Sequence, residues 1–317
     1  MRPMTLSSSD DSIRIDIVEF LQSLLLKAAS VHHYGHPENH PIIVINSLKN
    51  ILGDVRERPS KILMDFGNDY INKKLIRKYD ETIIKKIMIK GVTSSVFIMD
   101  LENAIFERNL KQAEKEAAKL FLLSDSPQAI LESLVNISLL DFDRYGILSY
   151  HLLRAFAFGQ TTKKDGWIYI QCLLKQLKSV NFTSPRQDVT INIENYFKNA
   201  LKTRSRIITN QFNSAYRLYH SNYVRTGNFQ HSICNWIESK EWKIINQKTK
   251  FLSTEELISF RNFGGEYFVK IAESLINRTE NLFTKGKKII FLDSLRMICK
   301  DVPENTLGLI EKTLKTI

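Results

Sequence analysis

The stretch SIRIDIVEFLQSLLLKAAS, Ser12 to Ser30, sets Ile13, Ile17, Phe20, Leu21, Leu24 and Leu25 at intervals of three and four residues. Side chains so spaced fall on one face of an α-helix, so the stretch predicts an amphipathic helix with a buried stripe. Asp10 or Asp11 supplies an N-cap oxygen for its first free N–H groups. The run His32-His33-Tyr34-Gly35-His36-Pro37 ends it.

The same reading extends along the chain. A helix begins at Pro41, where proline suits the first turn, and runs to Gly53. Ser60 caps a third, through Ile71 and towards Arg77, and Asp80 begins a fourth that stops before Gly91. Further helices are predicted over Phe97–Arg108, Lys111–Leu123, Ser126–Leu140, Ile147–Phe158 and Trp167–Lys178, with Gly146 breaking the chain. Val189–Val224 reads as one long helix or two joined end to end. Ser253 and Glu256 form a capping box, and helices follow over Glu255–Asn262, Glu266–Phe283, Ile289–Lys300 and Glu304–Thr316. No segment reads convincingly as a strand, so the fold class is all-α, a multi-helix array.

Composition agrees. Of 317 residues, 43% are apolar, enough for a sizeable core, and only 12 are glycine and 7 proline, few for a loop-rich or all-β chain. No run approaches the ~20 apolar residues of a membrane span. The start, Met1 to Asp11, lacks the basic and apolar regions of a signal peptide. Cys172, Cys234 and Cys299 are distant and odd in number, which predicts core packing rather than disulfides or a cysteine-rich zinc site. These features together predict a soluble, cytoplasmic protein.

Two segments resemble one another. Tyr34, Gly35, His40 and Asp54 map onto Tyr145, Gly146, His151 and Asp165 at a constant offset of 111, and the preceding apolar helices match at 110. The expectation is an internal pseudo-repeat of helix–turn–helix units within a domain over residues 1–180. A basic C-terminal helical region over 189–317 packs on it, with Asn181–Asp188 as the boundary. A pseudo-twofold axis would bring His40 and His151 towards a shared core.

Four of the seven histidines lie between His32 and His40. Neutral imidazole is a favoured ligand for iron, zinc and copper and the usual general base near neutral pH. The histidine-site reading takes His33, His36, His40 and His151 as ligands of a transition metal, iron or zinc. It takes His40 and His151 as catalytic groups, with Tyr34 and Tyr145 orienting them or a small-molecule substrate. The plainer alternative is a polar interhelical turn in which the histidines act as caps. The run His33-Tyr34-Gly35-His36 and the segments His40 to Leu52 and Arg144 to Phe158 resemble the questin-oxidase-like family. They also resemble the helical domain joined to Rieske-type iron–sulfur modules in bacteria. The resemblance implies an all-helical fold and oxidative chemistry on an organic substrate. The chain carries no Cys-x-His…Cys-x-x-His ligand set, hence no Rieske module, and Arg144–Ser149 has no histidine to match His36.

Charge supplies the competing reading. Residues 1–150 hold 19 Lys+Arg against 20 Asp+Glu, whereas residues 151–317 hold 26 against 14, so the +11 net charge belongs to the second half. An anionic partner, nucleic acid or an acidic protein, fits that imbalance, and so does a solubilising surface. In the tract Tyr196–Arg225 the anion-binding candidates are Lys202, Arg204, Arg206 and Arg217, with Phe212, Tyr216, Tyr219 and Tyr223 on one helical face. Lys285-Gly286-Lys287-Lys288 reads as a basic interhelical turn and Gly264-Gly265 as a hinge. The two functions left standing are an oxidoreductase-like helical enzyme and a non-enzymatic binding module.

Overall fold

A computed structural model of the chain describes residues 8–93, 95–160, 162–177, 189–244 and 254–317. The first half contains α1 (Ser8–Ala29), α2 (Pro41–Leu52), α3 (Lys61–Asn72), α4 (Thr82–Lys90), α5 (Ile98–Phe106) and α6 (Leu110–Leu123). It continues with α7 (Pro127–Ser138), α8 (Phe142–Gly159) and α9 (Lys163–Gln176). Then come α10 (Phe197–Lys202), α11 (Arg206–Tyr219), α12 (Thr226–Ser239), α13 (Glu255–Phe263), α14 (Tyr267–Ile276), α15 (Leu282–Asp301) and α16 (Leu307–Leu314). The all-α class is correct. Among the described residues the extended backbone is limited to an isolated antiparallel bridge between Val31 and Ile76. No described helix is long and apolar enough to cross a membrane. The Asn181–Asp188 boundary and Ser253 lie outside the described residues.

Local chemistry accounts for many helix starts. Ser60, Asn109, Ser126, Thr162, Ser205, Thr254 and Asn281 each accept a first-turn backbone N–H through a side-chain oxygen. Pro41 and Pro127 sit in the first turns of α2 and α7, where a missing N–H costs nothing. Gly264 and Gly265 take φ of 74° and 110° and make the hinge between α13 and α14.

Two helices form the centre. Nearly every side chain of α2 is buried, and α1, α3, α8 and α15 pack around it. α8 packs against α1, α2, α7, α9, α11 and α12, and α11 lies between α8 and α15. One apolar cluster therefore runs from Leu24 and Leu25 in α1 through α2 and α8 to Leu292 and Leu295 in α15.

Several boundaries differ from the sequence expectation. Gly146 does not break the chain; it lies inside α8, so the second Tyr-Gly ends no helix. Its absent side chain makes room, because a Cβ there would stand 2.5 Å from a ring carbon of Phe142. The Phe142 ring is itself packed 4.5 Å, centroid to centroid, from Trp236. Gly146→Ala is accordingly expected to destabilise by about 1–3 kcal/mol through overpacking, although alanine is the better helix former by about 1 kcal/mol. Urea denaturation measures this, and a stabilised alanine variant would show that the ring moves freely.

Lys285-Gly286-Lys287-Lys288 is likewise not a turn but part of α15, where Gly286 lets the helix approach Tyr70 and Val44. Val189–Val224 is not one helix: Arg204 takes a positive φ of 54° between α10 and α11, and α11 ends at Tyr219. Glu266–Phe283 is split, since Asn281 caps a new helix. Arg77 is not helical. It donates to the carbonyls of Ala29, Val31 and Ile168 and pairs with Asp80, fastening the segment after α3 to the end of α1.

Candidate functional site: a basic interhelical cleft

The sequence of α2, PIIVINSLKNIL, is apolar apart from Asn46, Ser47, Lys49 and Asn50. Asn46, Lys49, Asn50 and, just beyond the helix, Asp54 are three or four residues apart and so form one polar stripe. A polar stripe on a buried helix needs partners, and two neighbouring helices, α8 and α15, provide them. Asn46 meets His151 of α8, with Nδ2 and Nδ1 2.9 Å apart. Asn50 donates to Asp293 of α15 at 2.8 Å. Asp54 receives both Nε and Nη2 of Arg296, and Arg296 also reaches Asp293 at 3.3 Å.

Where these helices diverge they leave a cleft of about 820 Å³ between α1, α2, α8, α11 and α15. Six cationic side chains line it: Lys49, Arg56, Arg154, Arg217, Arg296 and Lys300. Asp54 is the carboxylate in that lining, Asp293 stands behind Arg296, and Asp301 pairs with Arg217 at 3.6 Å. Three of the six cations thus have no matching carboxylate. Among the described residues Lys49, Arg56 and Arg154 make no ion pair, whereas Lys300 reaches Asp54 at 3.3 Å. The remaining wall is apolar and aromatic, with Val18 and Leu21 of α1 opposite Tyr150 and Phe158 of α8.

Burial sets the electrostatics. Lys49 is 8% exposed and its ammonium rests 5.0 Å from the centroid of the Phe158 ring. Loss of solvent, reinforced by the Arg154 guanidinium and only partly offset by Asp293, pushes its pKa down to about 8. Burial raises the carboxyl of Asp293 and the phenol of Tyr150 above their ordinary values.

The histidines occupy other places. His40 is buried at the N-cap of α2, where Nδ1 accepts from the Ile42 N–H at 3.2 Å and Nε2 lies 3.5 Å from Cys172 Sγ. The His33 ring is 5.1 Å from it, and His33 Nε2 contacts the His36 carbonyl at 3.0 Å. Burial holds both His33 and His40 below the usual histidine range. His36 faces Glu38 at 3.8 Å, and His151 lies on α8 beside Asn46. His33 and His40 are brought together; His36 and His151 are not part of that group. Among the described residues no three His, Cys, Asp or Glu side chains are placed to hold a metal ion. Tyr34 is 76% exposed and bonds His32, whereas Tyr145 is buried and donates to the Gln176 carbonyl at 3.1 Å.

Of the four anion-binding candidates in the tract, only Arg217 lines the cleft. Arg206 lies over Phe291 and reaches the Thr316 carbonyl, Arg204 makes the turn after α10, and Lys202 ends that helix. Phe212 is fully buried and packs edge-on against Phe197, so the aromatic stripe belongs to the core at that point.

Lys49, Arg154 and Arg296 escape a motif search because they are single residues on three helices. The legible signal was the polar stripe on α2, an otherwise apolar helix. No protein-family model, curated protein or solved structure matches the chain.

Proposed function

We propose that this protein binds a small organic anion, carrying phosphate or carboxylate groups, in the cleft between α1, α2, α8, α11 and α15. One observation carries the reading: six cations converge there, and three of them have no carboxylate partner among the described residues. A bound anion would supply the missing charges, through the charge-assisted hydrogen bonds that guanidinium and ammonium groups make. The concave shape and the size of about 820 Å³ suit a small molecule with an apolar or planar part lying on Phe158. Nucleic acid fits less well, since Lys202, Arg204 and Arg206 lie away from the cleft and one wall of it is apolar. An oxidoreductase acting through His33, His36, His40 and His151 has less support than anion binding, because those histidines do not converge on one cavity.

Pyrophosphate titrated calorimetrically at low and moderate salt tests the proposal. Binding is expected, weakening with salt. Arg154→Glu alters an exposed side chain, so it leaves folding intact by circular dichroism and weakens binding by at least about tenfold, the loss of a charged hydrogen bond worth 1.5–3 kcal/mol. Lys270→Glu, on the exposed side of α14 and outside the cleft, serves as the control. Failure of pyrophosphate and of every carboxylate tried to bind removes the proposal.

A further inference from the structure

We propose that Lys49 is a nucleophilic amine that condenses with the carbonyl group of the anion held in this cleft, linking protein and ligand as an imine. The inference rests on the anion-binding reading and adds to it a substrate class: anionic aldehydes or ketones.

The placement of Lys49 carries the argument. It comes from the last turn of α2, and its stem runs through the packed boundary between α2 and α8 to the cleft wall. Lysines are almost never this buried without a carboxylate partner. Two lysines of α15, Lys300 and Lys288, show the ordinary solution and pair with Asp54 and Glu280. Lys49 instead faces an aromatic ring. The carboxylate nearest in effect, Asp293, is already engaged by Asn50 and Arg296. Arg154 and Arg296 add positive charge beside the ammonium. A cation so placed gains by shedding its proton, and a desolvated lysine next to other cations is the usual form of a nucleophilic lysine. Its lowered pKa, about 8, leaves a large neutral fraction near physiological pH.

The neighbours suit the same substrate. Arg154, Arg217 and Arg56 line the cleft with Lys49 and would hold the anionic end of a ligand. Phe158, beneath the amine, offers a flat apolar floor for the carbon skeleton. Binding thereby converts a bimolecular condensation into one between groups already in place.

The step balances without an oxidant or reductant. The nitrogen lone pair of the neutral amine attacks the carbonyl carbon, and the carbon–oxygen π pair moves to oxygen, giving a carbinolamine. The carbon–oxygen bond then breaks as the nitrogen pair forms the C=N bond. The two amine protons leave with the oxygen as one molecule of water.

The experiment uses the full chain and two probes, pyridoxal 5′-phosphate, an aldehyde bearing a phosphate, and glyoxylate, an aldehyde bearing a carboxylate. Each is incubated with the protein, reduced with borohydride and located by peptide mass mapping. The expected result is a reduced adduct on Lys49. At pH 8 it should form on the order of tenfold or more faster than on exposed lysines, whose ordinary pKa near 10.4 leaves them almost wholly protonated. Its rate should rise with a midpoint near pH 8 and fall when pyrophosphate is present. Lys49→Arg should lose the adduct. The wild-type peptide map decides the matter even if that variant folds poorly. Labelling spread over surface lysines with no preference for Lys49 overturns the proposal. Pyrophosphate binding without a Lys49 adduct also overturns it while leaving the anion site standing. Absence of pyrophosphate binding, with a Lys49 adduct that pyrophosphate does not suppress, removes the anion site and with it the substrate class.

Discussion

Arg296→Met is expected to lower the unfolding free energy by about 3–5 kcal/mol, the usual loss when one partner of a buried ion pair is removed. Arg296 is 6% exposed and carries the positive charge between Asp54 and Asp293, the latter 1% exposed. Methionine of similar length fills the space, so the expected loss is electrostatic rather than a cavity. What remains is two carboxylates in a poorly solvated place, one with Asn50 and the other with Lys300 as its nearest help. Asp293, whose carboxyl is already raised by burial, would then take up a proton. Urea denaturation monitored by circular dichroism gives the number, with the slope unchanged if only stability moves. A loss below about 1 kcal/mol, the value of a surface pair, would mean that water reaches these groups in solution.

The second large effect is acid sensitivity centred on His151. It is buried beside Asn46, and loss of solvent, with Lys49 adding a little, pushes its pKa down to about 3 from the ordinary 6.5. Above pH 6.5 the ring is neutral in folded and unfolded chains alike, so its contribution is fully present. As pH falls below 6.5 the unfolded chain binds a proton that the folded chain refuses, and stability is lost progressively down to pH 3. The slope is about 1.4 kcal/mol per pH unit, so roughly 3 kcal/mol is lost by pH 4 from this residue alone. His40, also held well below the usual range by burial, adds loss of the same sign. His151→Gln keeps a hydrogen-bonding side chain opposite Asn46 and cannot titrate. Its unfolding free energy between pH 6 and 4 should therefore fall less steeply than that of the wild type, by about one proton's worth. Parallel profiles for the two proteins would show that His151 is not the titrating group.

These effects concern residues that the sequence treats very unequally. The histidines stand out because four of seven fall between His32 and His40, and His40 does cap α2 as a polar turn residue would. The same run says nothing of direction. His36 turns to Glu38 while His33 and His40 turn inward, a difference made by the packing of α8 and α9 around the turn and not by spacing. The charge imbalance between the two halves did not locate the cluster of cations in the cleft. Arg217 alone of the four residues chosen from the Tyr196–Arg225 tract reaches the cleft, and Lys49 and Arg56 come from the half that has no basic excess.

By itself the sequence determined the all-α class and many of the helix starts. Caps, first-turn prolines and a three-to-four apolar rhythm act over a few residues, and those residues are adjacent in the chain. Tertiary structure decided whether a glycine stops a helix or fits inside one, as at Gly146 against Phe142 and Gly286 against Tyr70. It also decided which charges meet. Lys49, Arg154, Arg217 and Arg296 come from four helices and share a cleft only because the apolar faces of α2, α8, α11 and α15 pack together. Hydrophobic burial is non-directional, so the apolar pattern specifies that these faces are covered without specifying by which helix; the partner of each is fixed by the shapes that fit once all of them are assembled.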